Sequence, residues 1–256
     1  MDVFRAGSLA GRYLDVVAVE EPLQIRLDDR DVAVALRTPG NDEELTVGFL
    51  CSQGILHSRE DIAAITCGVN SGNVTRVQDP DPMTQERRPF LASGSGVCRT
   101  ASVELLVAAG CKVVSPDNPV IDASIIRRLP ETMLNDQPIF DRTRGLHAAA
   151  LFDVHGNLQL LREDVGRHNA VDKLVGRALL DGRVPLNDSV LLVSGCASFE
   201  LVQKALMAGV PVLATQGAPS SLAVEAALRF GLTLVGFVAN ARFQIYSGEA
   251  RILPME

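Results

Sequence analysis

The 256-residue chain carries 24 basic and 31 acidic side chains, a formal charge of −7, and 47% hydrophobic residues. That apolar fraction supports a full core and is too high for a disordered chain, while the negative balance argues against a bulk nucleic-acid binder. No apolar run reaches the ~18 residues of a membrane span, and Met1 to Arg12 lacks the basic cap and apolar stretch of a signal peptide, so a soluble, cytoplasmic protein without nucleic-acid or membrane partners is expected. Trp is absent and aromatics are 4%, which leaves Leu, Val, Ile and Ala to fill the core. Five cysteines at irregular spacing define no disulfide framework. Only Lys112, Lys173 and Lys204 are lysine. The arginine excess fits either GC-rich coding or recognition of phosphate by the planar guanidinium fork.

Between Tyr13 and Arg37 the pattern is extended: Leu14, Val16, Ala18, then Leu23, Ile25, Leu27, then Val32, Val34, Leu36. The second and third runs alternate as half-buried strands do, with Asp28 to Asp31 as the turn between them. Thr38-Pro39-Gly40 stops the sheet. Asn41, with Glu44 three residues on, has capping-box spacing for a helix that buries Leu45, Phe49 and Leu50 and ends at Gly54. Ser71 to Arg88, polar and with prolines at 80 and 82, reads as a hairpin tip or loop.

The second half has another rhythm. His147–Phe152 and Leu158–Leu161 flank a hairpin signal at 155–157. Helical stripes (Val171, Leu174, Val175, Ala178, Leu179; then Phe199, Val202, Ala205, Leu206; then Pro219 to Phe230) alternate with apolar strands at Val190–Val193, Val210–Ala214 and Leu232–Val238, and a last strand runs from Arg242 to Tyr246. Such alternation predicts an α/β sheet covered by helices on both faces. Ligands in these sheets lie beyond the carboxyl ends of the strands. Here those ends are Ser194-Gly195-Cys196, Thr215 to Ala218 and Val238-Ala239-Asn240, small or turn-forming residues that admit a ligand close to the backbone.

Two segments carry chemistry. Ser93-Gly94-Ser95-Gly96-Val97-Cys98 is a flexible loop leading to a helix with Val103, Leu106 and Val107 on its inner face. A cysteine at a helix start is favoured as the thiolate, which makes Cys98 the candidate nucleophile, a small buried corner residue being the alternative. Cys51 and Cys111, the latter at the head of a strand, read as packing; Cys67 is uninformative; Cys196 lies beyond a sheet strand in the crevice. The run Arg162 to Lys173 is the densest polar stretch, and suits either a salt-bridged surface or a site in which Asp153 and Asp164 orient Arg167 or His168.

Several strings are longer than chance allows: Glu20-Glu21-Pro22-Leu23; Arg37 to Leu45 with Gly48-Phe49-Leu50; Gly145 to Phe152; Arg162 to Lys173; Ser198 to Ala205; Leu232 to Phe237. Together they resemble the formate dehydrogenase accessory sulfurtransferase family, FdhD/NarQ, over roughly residues 16–247. The resemblance implies a cytidine-deaminase-like three-layer α/β core (93–256) with a smaller α+β N-terminal domain (1–92). It also implies a sulfurtransferase that takes sulfur from a cysteine desulfurase as a cysteine persulfide. That sulfur would pass to the molybdenum cofactor, Mo-bis(molybdopterin guanine dinucleotide), a bound substrate with no permanent cofactor or metal beside it, before the cofactor enters formate dehydrogenase. A homodimer is expected on the same ground.

The family's C-G-x-C-G loop falls on Ser95 to Arg99: Cys98 is kept as the catalytic residue, Ser95 replaces the first cysteine and Arg99 the final glycine. The nucleotide site carries over to Phe237, Val238, Ala239, Asn240, Ala241 and Arg242, and Cys196 stands where the family has Arg. A rival zinc deaminase needs H-x-E, but His147 is followed by Ala148 and Ala149. The other alternative is a cofactor-binding chaperone that carries no sulfur.

Overall fold

The computed structural model describes residues 5–8, 11–77, 103–115, 120–240 and 242–254. The expected domain boundary at 92/93 and the loop holding Ser95, Cys98 and Arg99 lie outside the described residues, as does Ala241.

A short hairpin, β1 (Arg5–Ser8) and β2 (Gly11–Leu14), precedes a four-stranded sheet. That sheet is built from β3 (Glu21–Leu27), β4 (Arg30–Arg37), β5 (Ile62–Gly68) and β6 (Ser71–Arg76), in the order β4-β3-β6-β5. Leu23 and Ile25 alternate into its core, as the period of two requires. Residues 15–20, expected extended, form no strand.

The start of the stretch expected as a loop from Ser71 is strand β6, parallel to β3. Its polarity misleads because the inward positions are a glycine packed on Thr46 and a single Val74, while Asn73 and Arg76 bind Asp29 and Asp28. Helix α1 (Asp42–Ser52) follows the expected stop. The capping box is not made: Asn41 has left-handed backbone, φ 59, and its side chain caps nothing, while Glu44 pairs with Arg162 instead.

Beyond α2 (Val103–Ala108), in which Leu106 is buried and Val107 is not, the expected strand at Cys111 is irregular backbone. The two-residue strand β7 (Ile121–Asp122) leads into α3 (Ala123–Asn135) and α4 (Pro138–Thr143). The main sheet has six strands: β8 (His147–Asp153), β9 (Leu158–Asp164), β10 (Ser189–Val193), β11 (Val212–Thr215), β12 (Thr233–Ala239) and β13 (Arg242–Ser247), in the order β13-β12-β11-β10-β8-β9. Strands β10, β11 and β12 are parallel; β8, β9 and β13 run antiparallel to their neighbours.

Helices α5 (Arg167–Leu180), α6 (Phe199–Met207) and α7 (Ser221–Phe230) share one core with Leu151, Leu191 and Leu213. Helix α3 packs Ile126, Leu129 and Met133 on the opposite face, against Phe152, Val190 and Leu192. The result is the expected α/β architecture with helices on both faces. A short pairing of β14 (Ile252–Leu253) with β7 ties the end of the described chain to this layer.

Helix α1 is buried from Glu44 to Ser52 because the four-stranded sheet covers one side and α5 the other. Polar bonds fasten the same junction. The Thr38 amide donates to Asp164, Lys173 donates to Asp164 (2.7 Å) and to the Thr38 carbonyl, and Asn169 donates to the Leu36 carbonyl. Deeper in, Lys204 donates to both oxygens of Asp172, which also accepts from Ser52. Buried charges are tolerated when paired and fully hydrogen-bonded, as these are.

Candidate functional site at the strand ends

The carboxyl ends of β10, β11 and β12 emerge beside the start of β8 and the end of β9. The backbones continue their ladder past the strands: the Gly217 amide donates to the Gly195 carbonyl (3.0 Å) and the Phe237 amide to the Gly217 carbonyl (3.2 Å). Gly195 and Gly217 stand on this ledge where a side chain would be crowded. A β-carbon on Gly217 would fall 2.6 Å from the Cys196 sulfur, and one on Gly195 would fall 3.0 Å from Arg167 Cδ. Two helices point their N-termini at the ledge. Arg167 and His168 open α5, and Ser198 caps α6 by accepting from the Leu201 amide. Unpaired N–H groups and the helix dipole make this end favourable to anions.

Around the ledge the electrostatics are polarised. His147 Nδ1 lies 3.2 Å from Ser194 Oγ, which also accepts from the Ala148 amide. Burial, and then the Arg167 charge, hold this imidazole below the usual histidine range. His168 is pushed down to about 3, first by burial and then by Lys204 and Arg167. It is therefore neutral, and its 3.2 Å contact with Glu200 is a hydrogen bond rather than an ion pair, shared with Ser198 at 3.0 Å. Glu200 is itself raised by burial. Among the described residues Arg167 has no hydrogen-bond or ion-pair partner, and its Nε is buried. An unpaired guanidinium facing glycine backbone, between two neutral imidazoles, is suited to a phosphate or another oxyanion. Next to the ledge, a cavity of about 450 Å³ opens between α3, α4 and the start of β8, with His147, Ser194 and Gln216 on its floor.

The sequence-predicted residues distribute unevenly. Phe237, Val238 and Ala239 end β12, Asn240 follows them and Arg242 opens β13, where the register slips between Gly236 and Ala239. Phe237 has positive φ, 53°, and is half exposed; Val238 is buried; Asn240 and Arg242 are exposed, and the Asn240 carbonyl accepts from Arg127. Cys196 is exposed on the ledge, and Cys67 is exposed elsewhere. Burial pushes the thiols of Cys51 and Cys111 up to about 12, in keeping with packing roles.

The run Arg162 to Lys173 is neither a solvated face nor wholly a site. Arg162, Asp164, Asn169, Asp172 and Lys173 bind the N-terminal elements and the core, leaving Arg167 and His168 at the ledge. Asp153 does not orient them. It sits at the far end of β8 and holds the hairpin turn by accepting from His155 and Asn157. Asp164 is taken by Lys173 and the Thr38 amide. The partners Ser194 and Gln216 were visible in the sequence only as turn residues after strands, and the pairing of His147 with Ser194 had no local signal.

Known proteins place these features in a family. Residues 18–253 match the model of the FdhD/NarQ family. A protein described as sulfur carrier protein FdhD from Streptomyces avermitilis is 47% identical, covering 97% of this chain and 92% of the relative. One of the same description from Sulfurisphaera tokodaii is 40% identical, covering 93% and 92%. The crystal structure of a formate dehydrogenase accessory protein from Desulfotalea psychrophila superposes with a TM-score of 0.78 at 28% identity, covering 99% of this chain and 98% of that one. On sequence and on fold alike, the chain belongs to the FdhD/NarQ family.

Proposed function

We propose that this protein is a sulfur carrier serving formate dehydrogenase, taking sulfur from a cysteine desulfurase onto Cys98 and passing it to Mo-bis(molybdopterin guanine dinucleotide). Its relatives are named sulfur carrier proteins, and a structural neighbour is named a formate dehydrogenase accessory protein. The observation that carries the ligand half of the reading is the bare Gly195–Gly217–Phe237 ledge facing the unpaired Arg167, a cradle for the phosphates of a dinucleotide. In the loading step the Cys98 thiolate attacks the terminal sulfur of the desulfurase persulfide. The sulfur–sulfur bond there breaks, the desulfurase leaves as its thiolate, and Cys98 becomes the persulfide. With Ser95 in place of the first cysteine, the loop itself offers no second thiol to attack the inner sulfur of the persulfide, a step that would form a disulfide and expel the carried sulfur as hydrosulfide.

The test is direct. Incubation with a desulfurase and cysteine, followed by peptide mass mapping, is expected to place the added sulfur on Cys98. Formate dehydrogenase activation, in a strain lacking its own carrier, is expected to disappear with Cys98→Ala. The same serine favours a second reading, a cofactor-binding chaperone without sulfur transfer. Full dehydrogenase activation by Cys98→Ala would select it.

A further inference from the structure

Arg167 is unpaired although a carboxylate stands near it. Glu200 lies in the first turn of α6 with its side chain 23% exposed. Burial and then Asp172 raise its acid range, while Lys204 and Arg167 act on it in the opposite sense. Of these two cations, Lys204 is committed to both oxygens of Asp172 at 2.7 Å. Arg167 has no hydrogen-bond or ion-pair partner among the described residues, and its Nε is buried. A guanidinium beside an unrestrained carboxylate ordinarily closes on it, because the planar fork matches the two oxygens.

The residue that follows Arg167 holds the carboxylate instead. His168 is buried and directs Nε2 at Glu200 Oε2 (3.2 Å) and at Ser198 Oγ (3.0 Å). A carboxylate only accepts, so the neutral ring donates to it from Nε2. Ser198 is fixed in turn as the cap of α6, accepting from the Leu201 amide. One ring therefore ties the starts of α5 and α6 together and occupies a Glu200 oxygen without adding a second positive charge to the ledge. The Arg167 side chain runs along Gly195, its Cδ 3.0 Å from where a β-carbon would stand. We propose that His168 is a positioning residue for the oxyanion site: its bond to Glu200 restrains that carboxylate from pairing with Arg167 and keeps the guanidinium open to phosphate. The use of this restraint rests on reading the ledge as a phosphate cradle; the restraint itself is a matter of three side chains at two helix starts.

His147 reports on the guanidinium without any ligand, because burial and then the Arg167 charge lower its titration while Asp164 raises it. NMR titration of the full chain decides the matter. In His168→Leu the freed Glu200 is expected to pair with Arg167, and the His147 titration to move upward. In the Glu200→Gln background the same His168→Leu change is expected to leave that titration in place, a coupling that a merely structural role would not produce. His168→Gln, which keeps a donor, is expected to titrate like wild type. Calorimetry with GDP should follow the same pattern: His168→Leu weakens binding by up to about tenfold, as far as removing Arg167 does, and adding Glu200→Gln restores it. Thermal unfolding checks that the variant is folded; if it is not, His168→Met takes its place. An unmoved His147 in the folded variant, or the same movement in the Glu200→Gln background, overturns the inference. A wild type that binds no GDP, with His147 moving as expected, counts against the phosphate cradle and leaves the restraint on Glu200 standing.

Discussion

Gly48 and Gly176 face each other where α1 crosses α5: a β-carbon on Gly48 would collide with the Asp172 carbonyl, and one on Gly176 with the Glu44 carbonyl. Backbone therefore packs on backbone, and the N-terminal sheet rides on α1 directly above the helix that presents Arg167 and His168. In an isolated helix, replacing glycine by alanine gains roughly 0.5–1 kcal/mol. Here Gly176→Ala is expected to lose about 3 kcal/mol instead, because the helices must separate. Denaturant unfolding measures it, and a stabilised variant would show that the crossing is not close.

The Lys204–Asp172 pair is buried at both ends, with Ser52 as a third partner. Lys204→Met leaves an uncompensated carboxylate in the core and is expected to lose on the order of 3–5 kcal/mol. Adding Asp172→Asn should return much of that loss, since the stranded charge is then gone. A double variant no more stable than Lys204→Met contradicts this account.

His168 titrates at about 3 in the fold against 6.5 for an ordinary histidine. The unfolded chain takes up the proton first, so stability from this group is complete above pH 6.5 and is lost as pH falls toward 3. The loss is on the order of a few kcal/mol across that window. His168→Gln should flatten the acid side of the stability profile relative to wild type. An unchanged difference in unfolding midpoint between neutral pH and about pH 4.5 argues against a neutral, buried imidazole.

The thiols should sort by environment. With values of about 12, Cys51 and Cys111 are almost wholly protonated near pH 8, roughly one part in ten thousand thiolate. Brief alkylation at that pH is expected to label the exposed Cys196 well before either of them, and to reach Cys51 only on unfolding. Peptide mass mapping gives the order, and early labelling of Cys51 would be inconsistent with its burial.

Arg167 is one reason that His147 stays neutral, burial being the larger. Arg167→Met is expected to move the His147 titration upward while leaving it below 6.5, read by NMR. The same variant should bind GDP about tenfold more weakly, the usual loss of one charge-assisted contact. Unchanged titration together with unchanged affinity would place the guanidinium away from the ledge.

Local pattern carried much of this protein. The wholly apolar run at 190–193 and the mostly apolar one at 232–238, with small residues after the first, announced buried parallel strands with open carboxyl ends, because a strand covered on both faces need not alternate. The hairpin at 155–157 and the helical stripe beginning at Val171 were equally legible. Periodicity reports that a face is buried but not what buries it. Residues more than a hundred positions apart supplied those answers: Asp164 with Thr38, Arg162 with Glu44, Gly176 with Gly48. The same long-range packing took Glu44 from its expected cap, divided the polar run at 162–173 between junction and ledge, and turned the polar stretch from Ser71 into a strand. Which side chains meet depends on how α1, α3 and α4 seat against the main sheet, and that is decided by shape complementarity between segments distant in the chain, for which no single segment holds a record.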